Sequence, residues 1–216
     1  LELPKIPYHF LRYYNLVNKN FLLNKEHDFK TEEDLIFFNN KLSECKLYLE
    51  YGSGTSTIRA DKKDVKYYSI ESDRNFYFSL KSKLKNNKNY LLKDIGIVSW
   101  ASRPILFTYS KFFIKKKAKK YACDVLNYLD EKKLVPDLIL IDGRYRILCA
   151  LYVYRFLKEK NFFTTIIIDD YKRRPYLHIL ENLFHINLVG SFGVCNKLKE
   201  YKDLDELIRI YEYDFR

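Results

Sequence analysis

A chain of 216 residues that is 47% hydrophobic fits one globular domain and buries enough apolar surface to fold without disulfides or a structural metal. Its four cysteines, Cys45, Cys123, Cys149 and Cys195, lie far apart with no CxxC pair and no histidine at ligand spacing, which excludes a disulfide framework and predicts free thiols in a reducing compartment. The net charge of +11 suits nucleic acid, anionic lipid or an acidic substrate, but richness in Asn, Ile, Phe and Tyr is also what AT-rich coding produces, so charge alone selects no partner.

Pro4 and Pro7 discourage regular structure at the start. Thr31 followed by Glu32, Glu33 and Asp34 reads as a capped helix start, with Leu35, Phe38 and Leu42 forming one buried stripe. Residues 46–50 read as a first strand, 67–71 as a second, 75–85 as a helix and 90–92 as a weaker third strand. Pro136 precedes a fourth strand over 137–142, followed by a helix over 147–158 and a fifth strand over 164–168. Residues 188–189 and 192–194 suggest further strands, and 203–211 a closing amphipathic helix. Apolar, β-branched strands separated by helices predict an α/β domain with a mostly parallel sheet covered on both faces. The expected organisation is a single domain over 1–216, with a helical N-terminal segment over 1–44.

The interval 95–134 is too long for an ordinary connection and predicts an inserted, partly helical cap between the third and fourth strands. It carries Trp100, Phe107, Tyr109, Phe112, Phe113 and the basic run Lys115, Lys116, Lys117, Lys119 and Lys120. That run could meet a nucleic acid backbone or a membrane surface, but a solvated helix face above a buried aromatic stripe is the plainer reading. No apolar run approaches the ~20 residues of a membrane span and no signal-peptide pattern opens the chain, so a cytoplasmic location is the default expectation.

In an open parallel sheet, ligands bind beyond the carboxyl ends of the strands. The first strand ends in Glu50-Tyr51-Gly52-Ser53-Gly54-Thr55-Ser56-Thr57, where two glycines allow a tight turn before a helix N-terminus. A dinucleotide fingerprint from Gly52 would need glycine at the position of Thr57, and Glu50 would repel a pyrophosphate. S-adenosylmethionine has a sulfonium, an ammonium and no phosphate, and tolerates such an acid. Glu71 closes the second strand, where a carboxylate can accept both ribose hydroxyls.

These segments, with Ser69 to Asp73, Asp137 to Gly143 and Ile168 to Tyr171, resemble the class I S-adenosylmethionine-dependent methyltransferases of small bacterial type. The resemblance spans roughly residues 31–195 and implies a Rossmann-like, seven-stranded sheet. It implies a cofactor site of Glu50, Gly52, Ser53, Gly54, Ser56, Glu71, Ser72, Asp94, Ile95 and Asp142, with Asp94 at the adenine. The common pattern has glycine at the position of Ser56, a departure shared by some small-molecule O-methyltransferases.

Asp142, Asp169 and Asp170, at the ends of the fourth and fifth strands, are the catalytic candidates. Their spacing is similar to that of metal-dependent O-methyltransferases of the catechol and caffeoyl type, which implies Mg²⁺ on these three residues. Asp170 stands where that group has an amide, and its general-base lysine has no equivalent. The metal-free alternative makes Asp142 or Asp169 a general base, with Arg144, Tyr145, Arg146, Tyr171, Arg173 and Arg174 around a small anionic acceptor such as a sugar, a sugar phosphate or a glycan precursor. His178 is a further, weaker candidate base. An RNA methyltransferase and a non-catalytic cofactor-binding module remain as rivals. The sequence Asp142-Gly143-Arg144-Tyr145, in place of the NPPY tetrapeptide of many nucleic-acid amine methyltransferases, favours an oxygen acceptor over a base nitrogen.

Overall fold

A computed structural model describes residues 29–95, 111–214 and 216. Its strands are β1 (Leu47–Tyr51), β2 (Lys66–Glu71), β3 (Tyr90–Leu92), β4 (Leu138–Ile141), β5 (Thr165–Ile168), β6 (Phe184–Val189) and β7 (Phe192–Leu198). The helices are α1 (Glu32–Glu44), α2 (Thr55–Lys62), α3 (Arg74–Lys81), α4 (Lys111–Glu131), α5 (Arg146–Lys160) and α6 (Leu204–Tyr211), with 3-10 turns at Tyr171–Arg173 and Pro175–Asn182. The strands form one seven-stranded sheet in the order β3-β2-β1-β4-β5-β7-β6. β1 to β5 run parallel, and β7 is antiparallel to both β5 and β6.

Strand residues alternate between two faces, and each face has its own core. Leu49, Tyr51, Tyr68, Ile70, Ile139, Ile141, Ile166 and Ile168 join the buried faces of α4, α5 and α6. Tyr48, Tyr67, Leu138, Leu140 and Ile167 join Phe38 and Leu42 of α1 and Ala60 of α2. Both faces are covered, which is why the central strands read as continuous apolar runs. Strand order reverses between β1 and β4, so their carboxyl ends flank a crevice.

The expected helix start at Thr31 is a reciprocal cap: the Asp34 N–H donates to Thr31 Oγ1 at 3.1 Å and the Thr31 N–H donates to Asp34 Oδ2 at 3.0 Å. Asp34 also receives the Ser191 N–H and the Ser191 hydroxyl, each at 2.7 Å, tying α1 to the β6–β7 turn. Asp34 is fully buried. Asp34→Ala is therefore expected to lower stability by about 3 kcal/mol, because buried donors lose their acceptor. Urea unfolding of the variant checks this, and a loss below about 1 kcal/mol would show that the turn re-pairs elsewhere.

The described part of the expected cap is a layer helix. Ala118, Tyr121, Ala122, Val125, Leu126 and Leu129 of α4 lie in the core beneath the sheet, and the Tyr51 hydroxyl donates to the Ala122 carbonyl at 2.7 Å. A cap over the sheet edge then rests on 96–110, which lie outside the described residues. In the basic run, Lys115 pairs with Glu212 at 2.8 Å, while Lys116, Lys119 and Lys120 are exposed. Among the described residues, no helix is long and apolar enough to cross a membrane. The four cysteines are unbridged, and burial with the Asp137 charge pushes the Cys45 thiol up to about 12, far from a reactive thiolate.

Candidate functional site

The loop after β1 is built around two close approaches. Gly52 has a φ of +90°, and a Cβ there would lie 2.5 Å from the Gly143 Cα and N. The loops after β1 and β4 thus pack backbone against backbone. Gly143 is equally constrained, because a Cβ on it would lie 2.1 Å from the Tyr121 hydroxyl.

Glu50 lies beneath this loop rather than in the crevice. Its carboxylate is fully buried and accepts hydroxyls from Tyr48, Ser56 and Ser69 at 2.7 Å each, and from Thr57. Burial raises its pKa above the ordinary carboxylate value, opposed by the four hydroxyl donors. These bonds clamp the first turn of α2 to β1 and β2. Ser56, expected at the cofactor, belongs to this clamp.

Glu71 ends β2 at the neighbouring position. Its Oε1 accepts the Ser72 and Asp73 N–H groups, each at 2.7 Å, and its Oε2 accepts the Ser53 hydroxyl at 2.6 Å. Ser53 also lies 2.9 Å from the Tyr90 hydroxyl. Beyond β3, Asp94 pairs with Arg74 at 3.3 Å and Ile95 is buried. Gly52, Ser53, Gly54, Glu71, Ser72, Asp94 and Ile95 therefore follow the carboxyl ends of three adjacent parallel strands.

A second cluster sits at the ends of β4 and β5. Ile141 and Ile168 are register partners, which makes Asp142 and Asp169 neighbours. Arg146, at the start of α5, donates to the Gly143 carbonyl at 3.2 Å, the Asp169 carbonyl at 2.8 Å, the Asp142 carbonyl at 3.0 Å and Asp142 Oδ1 at 2.7 Å. Burial, then the charge and hydrogen bond of Asp142, push the Asp169 carboxyl well above its ordinary range. Asp170 is also buried, but hydrogen bonds from Arg174 and the charges of Arg146 and Arg174 outweigh burial and hold its carboxyl below the ordinary value. Its backbone is left-handed at φ +58°. The Asp142 side chain is the accessible one, 39% exposed.

Several residues expected at the acceptor have other posts. The Arg146 guanidinium is occupied by four protein acceptors and is 6% exposed, so it pins the two strand ends together. Tyr145 is buried in the core beside Tyr121. Tyr171 is buried against Gly193 and donates to Glu181 at 2.7 Å. His178 packs against the Tyr171 ring, and Arg173 is exposed. Arg174 binds Asp170 Oδ2 at 2.7 Å and the Tyr176 hydroxyl at 3.2 Å.

The three aspartates do not fit a divalent cation as arranged. Asp142 and Asp170 each hold a guanidinium at 2.7 Å. A hard cation needs ionised oxygens turned towards one point. Among the described residues no group of three or more His, Cys, Asp or Glu converges in that way.

One solved structure, a methyltransferase-like protein from Silicibacter pomeroyi, superposes with a TM-score of 0.65 over 86% of this chain and 95% of that one, at 24% identity. The chain has a methyltransferase fold. An O-methyltransferase from Bacillus cereus, solved in complex with SAH, aligns at a TM-score of 0.44 and 17% identity over 76% of this chain and 67% of that one. No family model matches the sequence, and no curated protein matches it.

In this methyltransferase fold, sequence reading missed Tyr48, Ser69 and Thr57 around Glu50, Tyr90 beside Ser53, and Tyr121 under Gly143. A signal for Tyr48 and Ser69 was present: hydroxyl residues placed inside strands that are otherwise apolar. Tyr121 carried none, because its contact with Gly143 joins residues on separate elements.

Proposed function

We propose that this chain transfers a methyl group from S-adenosylmethionine to an oxygen of a small acceptor. One observation carries the reading: a glycine turn, Glu71 and Asp94 follow the ends of β1, β2 and β3 of a methyltransferase fold. Three adjacent strands span about 10 Å, which suits a ligand lying across them with its amino-acid part, ribose and base in turn. Thr57 supports this over a dinucleotide, since its side chain is engaged with Glu50 where the fingerprint needs glycine.

The residues present fit the cofactor. Glu71 would accept the ribose hydroxyls on Oε2, in place of the Ser53 hydroxyl, while the Ser72 and Asp73 amides hold Oε1 in position. Asp94 and Ile95 would border the adenine. When bound, S-adenosylmethionine supplies a methyl group on an already activated sulfonium. The chain's remaining work is alignment, exclusion of water and removal of the acceptor proton. Asp142 takes that proton, oriented by Arg146, with Asp169 and Asp170 behind it.

Calorimetric titration with S-adenosylmethionine, S-adenosylhomocysteine and NADH tests the reading directly. Binding of both sulfur compounds without NADH supports it, and binding of neither sinks it. Glu71→Ala is expected to weaken cofactor affinity at least about tenfold, because two ribose hydroxyls lose a charged acceptor. Unchanged affinity in that variant would remove Glu71 from the cofactor site.

A further inference from the structure

Resting on that reading of the site, we infer that Ser53 competes with the cofactor's ribose for Glu71, and that Tyr90 keeps the serine hydroxyl partnered when the ribose takes its place. Glu71 is 2% exposed, and both of its carboxylate oxygens already carry protein donors. On Oε1 these are the Ser72 and Asp73 amides, and Asp73 is itself fixed as the cap of α3, accepting the Asn75 and Phe76 N–H groups at 2.9 Å each. On Oε2 the donor is the Ser53 hydroxyl at 2.6 Å, a half-buried side chain with one rotatable bond. Ser53 is thus the donor that can yield. Its backbone cannot: Gly52 packs on Gly143 at a φ of +90°, and the Gly54 N–H donates to Thr57 Oγ1 at 3.1 Å. An exchange of partners on Oε2 is therefore confined to the Ser53 side chain.

The same hydroxyl has a second partner in place. Ser53 Oγ lies 2.9 Å from the Tyr90 hydroxyl, and with the serine proton committed to Glu71 the tyrosine is the donor of that pair. Tyr90 is held firmly: it is buried, its ring stacks on Tyr77 with centroids 4.6 Å apart, and its carbonyl accepts the Tyr77 hydroxyl at 3.2 Å. Burial, then the Glu71 charge, raises the Tyr90 pKa, which keeps its proton available for donation. A ribose hydroxyl that takes Oε2 releases the serine proton, and Tyr90 remains to satisfy the serine oxygen. Molecules in which Ser53 holds Oε2 do not accept the ribose there, so the bond lowers the apparent affinity. Tyr90 limits that loss, because a half-buried hydroxyl left without a partner costs more than one that keeps it.

The test is calorimetric titration of S-adenosylhomocysteine into the unaltered protein, Ser53→Ala, Tyr90→Phe and the double variant, with thermal unfolding to verify that each is folded. Ser53→Ala is expected to bind about tenfold more tightly, since the ligand no longer competes with a protein hydroxyl for a charged acceptor. Tyr90→Phe is expected to bind about threefold or more weakly, an effect that disappears when Ser53 is also alanine. A purely structural role for the Tyr90 hydroxyl would lower affinity equally in both backgrounds, and that result overturns the inference. Equal or weaker binding by Ser53→Ala, with the unaltered protein still binding, also overturns it and leaves the methyl-transfer reading in place. Binding by Ser53→Ala alone supports both, the unaltered site being filled by its own serine. No binding by either protein removes the reading and the inference together.

Discussion

Gly52→Ala is expected to lower stability by about 4 kcal/mol and to abolish cofactor binding. Two independent costs combine at this position. A side chain at φ +90° is strained wherever it sits, and here the added Cβ would also lie 2.5 Å from the backbone of Gly143. A flexible neighbour could move aside, but Gly143 is itself fixed against Tyr121. Relief must come from separating the two loops, which also displaces Ser53 from Glu71. Urea unfolding and titration with S-adenosylhomocysteine read the two consequences separately. Retention of both within about 1 kcal/mol would mean that the loops are not in contact in solution.

Turnover in Asp142→Ala is expected to fall about 100-fold or more, with a much smaller change in affinity for S-adenosylhomocysteine. Three aspartates share the ends of β4 and β5, and their surroundings separate their roles. Asp169 is buried, and both burial and the Asp142 charge favour its protonated form, so it is poorly placed to take another proton. Asp170, like Asp142, is paired with an arginine at 2.7 Å, but its side chain is only 12% exposed, so an acceptor hydroxyl has little access to it. Asp142 is accessible and is oriented by Arg146. Loss of its side chain leaves Arg146 paired, because the same guanidinium nitrogen also donates to the Asp142 carbonyl at 3.0 Å. The variant therefore tests chemistry rather than folding. Single-turnover rates would show it, and a fall smaller than about threefold would remove Asp142 from the role of base.

Much of the architecture was legible in the sequence, for a local reason. Strands buried on both faces must be apolar throughout, so residues 138–141 and 166–168 announce themselves without knowledge of their partners. The Thr31 cap, the glycine turn after β1 and the acid closing β2 are also local patterns, each dictated by backbone geometry within a few residues. Order along the chain was enough to line up Gly52, Glu71 and Asp94 beyond successive parallel strands. The helix Lys111–Glu131 was harder, because its segment reads as part of a cap over the sheet edge until the sheet packed against Ala118, Tyr121 and Ala122 makes it a layer helix.

Which way each side chain faces was decided only by tertiary contacts. Glu50 and Glu71 both lie at the ends of apolar strands and both are buried, yet hydroxyls from β1, α2 and β2 take up the Glu50 carboxylate, while the Glu71 carboxylate is held by the next two amides and by Ser53. Arg144 and Arg146 stand two residues apart, but the left-handed turn at Tyr145 sends the chain into α5 and delivers Arg146 to the carbonyls of β4 and β5. The sequence by itself determined the elements, their order and the strand ends at which a ligand can sit. Tertiary structure divided acids and arginines of the same type into pins and candidate reactive groups, because burial and charge pairing depend on neighbours that are distant in the chain.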